Sequence, residues 1–234
     1  MSAKHNLHTA ASIPAHLSPS LIIAALHDHT TALTLQALTT GHEKLPNTHL
    51  DTLKDTYWFP TDLHPVTTYS VKECITLLPG MGEWGRKYIT FPSCFQDTPQ
   101  GIKTRADASG VIVRAEFRVV RGGAAAEVEG EGMGVGDAEW VLVEDVEVTC
   151  AWWMMPFVKG KMEQAHRDIC RKVVEKVEMQ RRQEAIAKTA ARGKRRVDSG
   201  PEGHVEVERL DTQRSELSVG PDDVPMMPEK ITYR

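Results

Sequence analysis

The chain has little of what marks disulfide scaffolds, zinc proteins or membrane spans. Its 234 residues include four cysteines, Cys74, Cys94, Cys150 and Cys170, far apart and without a Cys-x-x-Cys spacing. Scattered cysteines of this kind are expected to be reduced thiols. Apolar runs such as Leu21–Leu26 stop at six residues, against the roughly 20 that a membrane-spanning helix needs. No apolar stretch follows Met1, so no secretory signal is expected and the expected location is cytoplasmic. The Gly-rich stretch 130–136 lacks the Lys-Ser/Thr of a phosphate loop. There is no Gly-x-Ser-x-Gly elbow and no His-Glu-x-x-His. Ten histidines are many, yet none shows ligand spacing. His27 and His29 would point about 200° apart on a helix. His5, His8, His42 and His49 fall on presumed edges and loops and read as polar filler. Neither a metal nor a cofactor is expected.

What is present is a globular composition, 41% hydrophobic and 26% charged, enough for one well-buried core or at most two small ones. The net charge of −4 is unevenly distributed. Residues 159–196 carry 13 Lys+Arg against 5 Asp+Glu, between an acidic body and an acidic tail. A basic segment can contact an anionic membrane surface, although the plainer reading is a solvated helix face. The pair Arg181-Arg182 with Lys194-Arg195-Arg196 approximates a bipartite nuclear-import pattern, which basic helices often match by chance. Nucleic acid is not an expected partner.

Period-two alternation over residues 4–13 predicts a strand ended by Pro14. Ser18-Pro19 opens a short helix with Leu21, Ile22, Ala25 and Leu26 as its apolar stripe. A second helix is predicted from Thr30, with Leu33, Ala37 and Leu38 inward, ending at Gly41. Residues 42–55 read as an irregular connection. Six strands follow: Tyr57–Phe59, Val66–Leu78, Lys87–Phe95, Gly101–Asp107, Val111–Val120 and Glu139–Cys150. Residues 121–138 read as a flexible loop. A long helix begins near Pro156, with Val158, Met162, Ala165, Ile169, Val173 and Val177 at helical steps. It is predicted to project or fray beyond Val177 and to end at Gly193. Residues 197–234 are expected to be a disordered acidic tail.

An antiparallel sheet of seven strands needs a cover for its apolar face, and the last helix is the only element long enough. The strand-to-helix entry Ser12-Ile13-Pro14-Ala15, the hairpin at Ser109-Gly110 and the run Trp152-Trp153-Met154-Met155-Pro156-Phe157-Val158 resemble the START-like, or helix-grip, superfamily. More narrowly, the chain resembles an uncharacterised fungal family of that fold. The resemblance covers roughly residues 4–180 and implies an α+β domain, a seven-stranded curved antiparallel sheet wrapped around a long C-terminal helix. On this reading residues 1–180 form the domain, 181–196 a basic helical extension and 197–234 the tail. The superfamily includes lipid-transfer domains and polyketide cyclases, so the implied partner is a small hydrophobic ligand, a lipid, sterol or polyketide-like molecule. The alternatives are a cyclase-like enzyme using acid and base groups in the same cavity, or an interaction protein whose basic helix, residues 178–196, docks on acidic partners or anionic membrane surface.

Three polar residues break the apolar pattern. Glu144 shares a strand face with Trp140, Leu142, Val146, Val148 and Cys150. His166 sits among Met162, Ala165, Ile169 and Cys170 on the helix. Glu73 lies between Val71 and Ile75. A carboxylate and an imidazole directed into one cavity would have shifted pKa values. They would orient a ligand, act as acid and base, or satisfy each other. The predicted ligand-binding set is Glu144, His166, Glu73, Tyr69, Phe91, Phe117, Trp140, Met162 and Ile169. Tyr57, Trp58, Phe95 and Trp152 would extend the apolar lining, with ordinary core as the plainer reading.

Overall fold

The computed structural model describes residues 1–76, 80–122, 135 and 138–198, the side chains of 192–198 excepted. Strand β1, Ser2–Ile13, is ended by Pro14, and Pro19 at the first turn opens α1, Pro19–His27, where its missing N–H costs nothing. Ile22 and Leu26 are buried, whereas Leu21 is exposed. Helix α2 spans His29–Leu35. The expected continuation to Gly41 is wrong: strand β2, Thr39–Lys44, begins there instead. The β-branched pair Thr39-Thr40 favours extended backbone over helix. Residues 42–55 are therefore not wholly irregular, and they also include a one-turn helix α3, Leu50–Leu53.

The remaining strands are β3 Val66–Thr76, β4 Arg86–Thr98, β5 Gly101–Ala108, β6 Val111–Arg121 and β7 Trp140–Ala151. All seven form one antiparallel sheet in the order β1-β7-β6-β5-β4-β3-β2. The strand count equals the expectation, but Tyr57–Phe59 is not one of the seven. That segment crosses the outer face of the sheet. The Tyr57 hydroxyl donates to the Ala115 carbonyl at 2.8 Å, and the Gln96 side chain bonds both the Phe59 N–H and the Phe59 carbonyl. Asp55 anchors it with ion pairs to Arg105 and Arg114. The expected loop over 121–138 and the tail beyond residue 198 lie largely outside the described residues.

The register divides each strand into an inner and an outer row. Inner residues include Thr9, Phe91, Phe95, Ile102, Phe117, Leu142 and Val146, all buried. The expected long C-terminal helix covers the sheet and runs in two segments, α4, Met155–His166, and α5, Ile169–Asp198. Arg167 and Asp168 interrupt the helix although neither is a breaking residue type, so the apolar period runs through the interruption without marking it. Ile169, Cys170, Val173, Val174 and Val177 are buried against the inner face. The exposure of Met179 and Ile186 shows that this packing ends near residue 178. Met1–Ala191 forms one compact unit. Among the described residues no helix is long and apolar enough to cross a membrane.

Candidate functional site

Inner-face geometry brings Glu144 and His166 together. Position 144 lies on the inner row of β7, opposite Thr9 of β1 and Phe117 of β6, while His166 is the last residue of α4. Glu144 has no exposed surface and His166 is 6% exposed. The imidazole Nδ1 lies 2.6 Å from Glu144 Oε1, and the Thr9 hydroxyl donates to Oε2 at 3.1 Å. Thr9 Oγ1 also lies 3.4 Å from Cys170 Sγ. Burial disfavours a charged imidazole, but the Glu144 carboxylate beside it and the Glu73 carboxylate beyond outweigh burial and raise the His166 pKa. Burial, with the Glu144 charge adding to it, pushes the Cys170 thiol far up and makes it a poor nucleophile.

Glu73 stands on the inner row of β3, opposite Ile89. Burial raises its pKa, and the His166 charge partly offsets that rise. On a flat sheet β7 and β3 would be four strand spacings apart, roughly 19 Å. Both carboxylates nevertheless act on one imidazole, so the sheet curls around the helices. Neither Glu73 nor His166 Nε2 has a hydrogen-bond partner among the described residues.

The other predicted residues divide. Phe117 and Ile169 are 2% exposed and belong to the packed core, with Phe91 beside them. Met162 is half-buried against that core. Tyr69 lies away from the pair: its hydroxyl is 3.3 Å from His29 Nδ1 and its ring meets Phe95 edge-on. Trp140 is at the far end of β7 with Arg121 over its ring. Tyr57 and Trp58 line nothing on the inner face, because their segment crosses the outer one, and Trp152 is 63% exposed. Sequence reasoning missed Thr9, whose hydroxyl is unremarkable in an alternating strand. The histidines are mostly partnered: His8 with Asp145, His5 with Glu163, His49 with Asp51, His29 with Asp97, and His27 with the Thr98 and Gly101 carbonyls.

Inner-face packing loosens toward one end. Antiparallel register places the β5–β6 turn, the Thr76/Arg86 end of β3–β4, and the Ser2/Ala151 end of β1–β7 together at that end of the sheet. There Ile89, Ala106, Ala108, Val111, Val113 and Val158 are only half-buried, whereas Phe95, Ile102 and Phe117 deeper in are covered. Two hollows lie elsewhere, and neither is lined by Glu144 or His166. One, of about 900 Å³, lies chiefly over the polar outer face and touches His8, Asp55, Tyr57, Arg114 and Asp145; the other, of about 500 Å³, lies between α1 and α5. Among the described residues no group of three His, Cys, Asp or Glu is placed to hold a metal ion.

The profile of a family described as a domain of unknown function, DUF7053, matches residues 2–179. No curated protein matches the sequence. Similar solved structures include TTHA0849 from Thermus thermophilus, at 9% identity and a TM-score of 0.40, covering 76% of this chain and 98% of that one. The Zhui aromatase/cyclase from Streptomyces sp. R1128 has 13% identity and a TM-score of 0.40, with 76% and 93% covered. Ara h 8.0201 has 12% identity and a TM-score of 0.39, with 76% and 99% covered.

Proposed function

The chain belongs to the DUF7053 family, a domain of unknown function, and on that premise we propose that it binds a small hydrophobic molecule between the sheet and its C-terminal helices. The observation that carries this reading is the polar group at His166 among apolar side chains that are only half-buried toward one end of the sheet. A ligand's apolar body would lie on Ile89, Val111, Val113 and Met162, and its polar head would meet His166 Nε2 and Glu73. Apolar walls with a few convergent polar groups are the usual makeup of a ligand site. Glu144 and Thr9 would hold the imidazole in place from behind. Trp140 and Tyr69 are too far along the sheet for this head group, and Phe91, Phe117 and Ile169 would support the wall from beneath.

Native mass spectrometry of the purified chain is expected to show a co-purified hydrophobic adduct. Binding of anilinonaphthalene sulfonate should be saturable and weaken about tenfold in His166→Gln, the equivalent of about 1.4 kcal/mol. An adduct-free protein that binds the probe without saturation would overturn the proposal. Acid/base catalysis of the cyclase kind is the second reading, favoured by the raised His166 pKa, which suits a proton donor near neutral pH. Recovery of a chemically altered ligand would select it.

A further inference from the structure

The loosely packed end of the sheet also carries the most exposed aromatic residues among those described. Trp152 and Trp153, 63% and 61% exposed, follow β7 directly, and Phe157 in the first turn of α4 is 78% exposed. Trp84, at 93%, lies in the 3₁₀ turn Gly82–Gly85 just before β4, with Met81 preceding it and Tyr88 following. These side chains come from opposite sides of the sheet, yet the register puts them at one end. Isolated exposed apolar residues need no explanation, but a group of this size does.

We propose that this end of the domain docks on an anionic lipid surface, with Trp152, Trp153, Phe157 and Trp84 entering the headgroup region. Trp is the side chain most at home at that depth, since its ring is apolar while its N–H still finds a partner. The charges around the aromatics fit the same partner. Lys87 and Lys161 are exposed there, Lys72 lies over the Tyr88 ring, and the acidic neighbours Glu83 and Glu163 are paired with Arg86 and Lys159. A two-fold contact with a second copy would set these lysines against their own kind. An anionic surface neutralises them instead. The surface is distinct from the basic stretch 178–196, which has charge without an apolar face.

The test uses the full chain, phosphatidylcholine vesicles with and without phosphatidylserine, sedimentation and Trp emission. It needs no bound ligand, so its failure is separable from failure of the ligand-binding reading. Expected are co-pelleting with the anionic vesicles, a blue shift, and quenching by spin-labelled lipid. High salt should weaken the binding but leave the blue shift, because inserted rings are not screened. The variant Trp152→Ser/Trp153→Ser/Phe157→Ser should bind at least tenfold more weakly with an unchanged melting temperature, while Arg181→Gln/Arg182→Gln should bind normally. Absence of pelleting, or pelleting lost only in the arginine variant, overturns the proposal. So does a concentration-dependent dimer that the triple variant abolishes. Should the triple variant unfold, absence of lipid quenching in the unaltered chain overturns it equally.

Discussion

A carboxylate with no exposed surface is tolerated only when its charge is met, and for Glu144 the His166 imidazole and the Thr9 hydroxyl meet it. Removing one partner of a buried ion pair leaves an uncompensated charge, so His166→Leu should lower unfolding free energy by about 3–5 kcal/mol. The pair also sets a pH dependence. Because the folded-state pKa of His166 is raised, the folded chain holds this proton more tightly than the unfolded chain. The stabilisation is complete below the ordinary imidazole value, about 6.5, and is lost as pH rises through the folded value. Urea titrations from pH 5 to 9 should show the unaltered chain losing stability relative to His166→Gln as pH rises. Parallel pH profiles would refute the coupling. Glu144 and His166 were legible in the sequence because each is a charge in an apolar row. Thr9 was not, since threonine suits either face of a strand.

Elements marked by their own alternation or by proline were legible in the sequence, whereas Tyr57–Phe59 and Thr39–Lys44, which carry no such mark, were not. Pro14 and Ser18-Pro19 punctuate the chain by backbone chemistry alone, and the alternation of β6 carries its own face assignment. By contrast, Tyr57-Trp58-Phe59 has strand composition, but its hydrogen bonds run to Thr52, Gln96 and Ala115 across the outer face. Thr39–Lys44 pairs with β3, which begins more than twenty residues later, and nothing in five polar residues and a glycine announces that partner. The division of the last helix at Arg167-Asp168 was equally silent. Helix α5 nonetheless packs with the predicted stripe, and Ile169, 2% exposed, is its first core contact. Ile169→Ala should cost about 2–5 kcal/mol, measured by chemical denaturation, if the surrounding core cannot collapse into the space. A loss below ~1 kcal/mol would mean that this end of α5 is less tightly held than its burial indicates.

At the scale of the whole molecule, the compact unit ends at Ala191, and the core residues among those described all lie before Met179. A chain truncated after Ala191 should therefore melt within a few degrees of the full chain in differential scanning calorimetry. A larger drop would show that residues 192–234 contribute to the stability of the fold. The pairing of β1 with β7 has a further consequence, because Ser2 finds its neighbour at Ala151. At ribosomal rates of 5–20 residues per second, the first strand waits roughly 7–30 s for its partner to be synthesised. During that time the sheet can grow only from its other side, by the successive hairpins of β3 to β6. The N-terminal strand closes the sheet last, and until then its Leu7, Ala11 and Ile13 face water or a chaperone. The nascent chain is therefore most vulnerable to aggregation just before the C-terminal helices emerge.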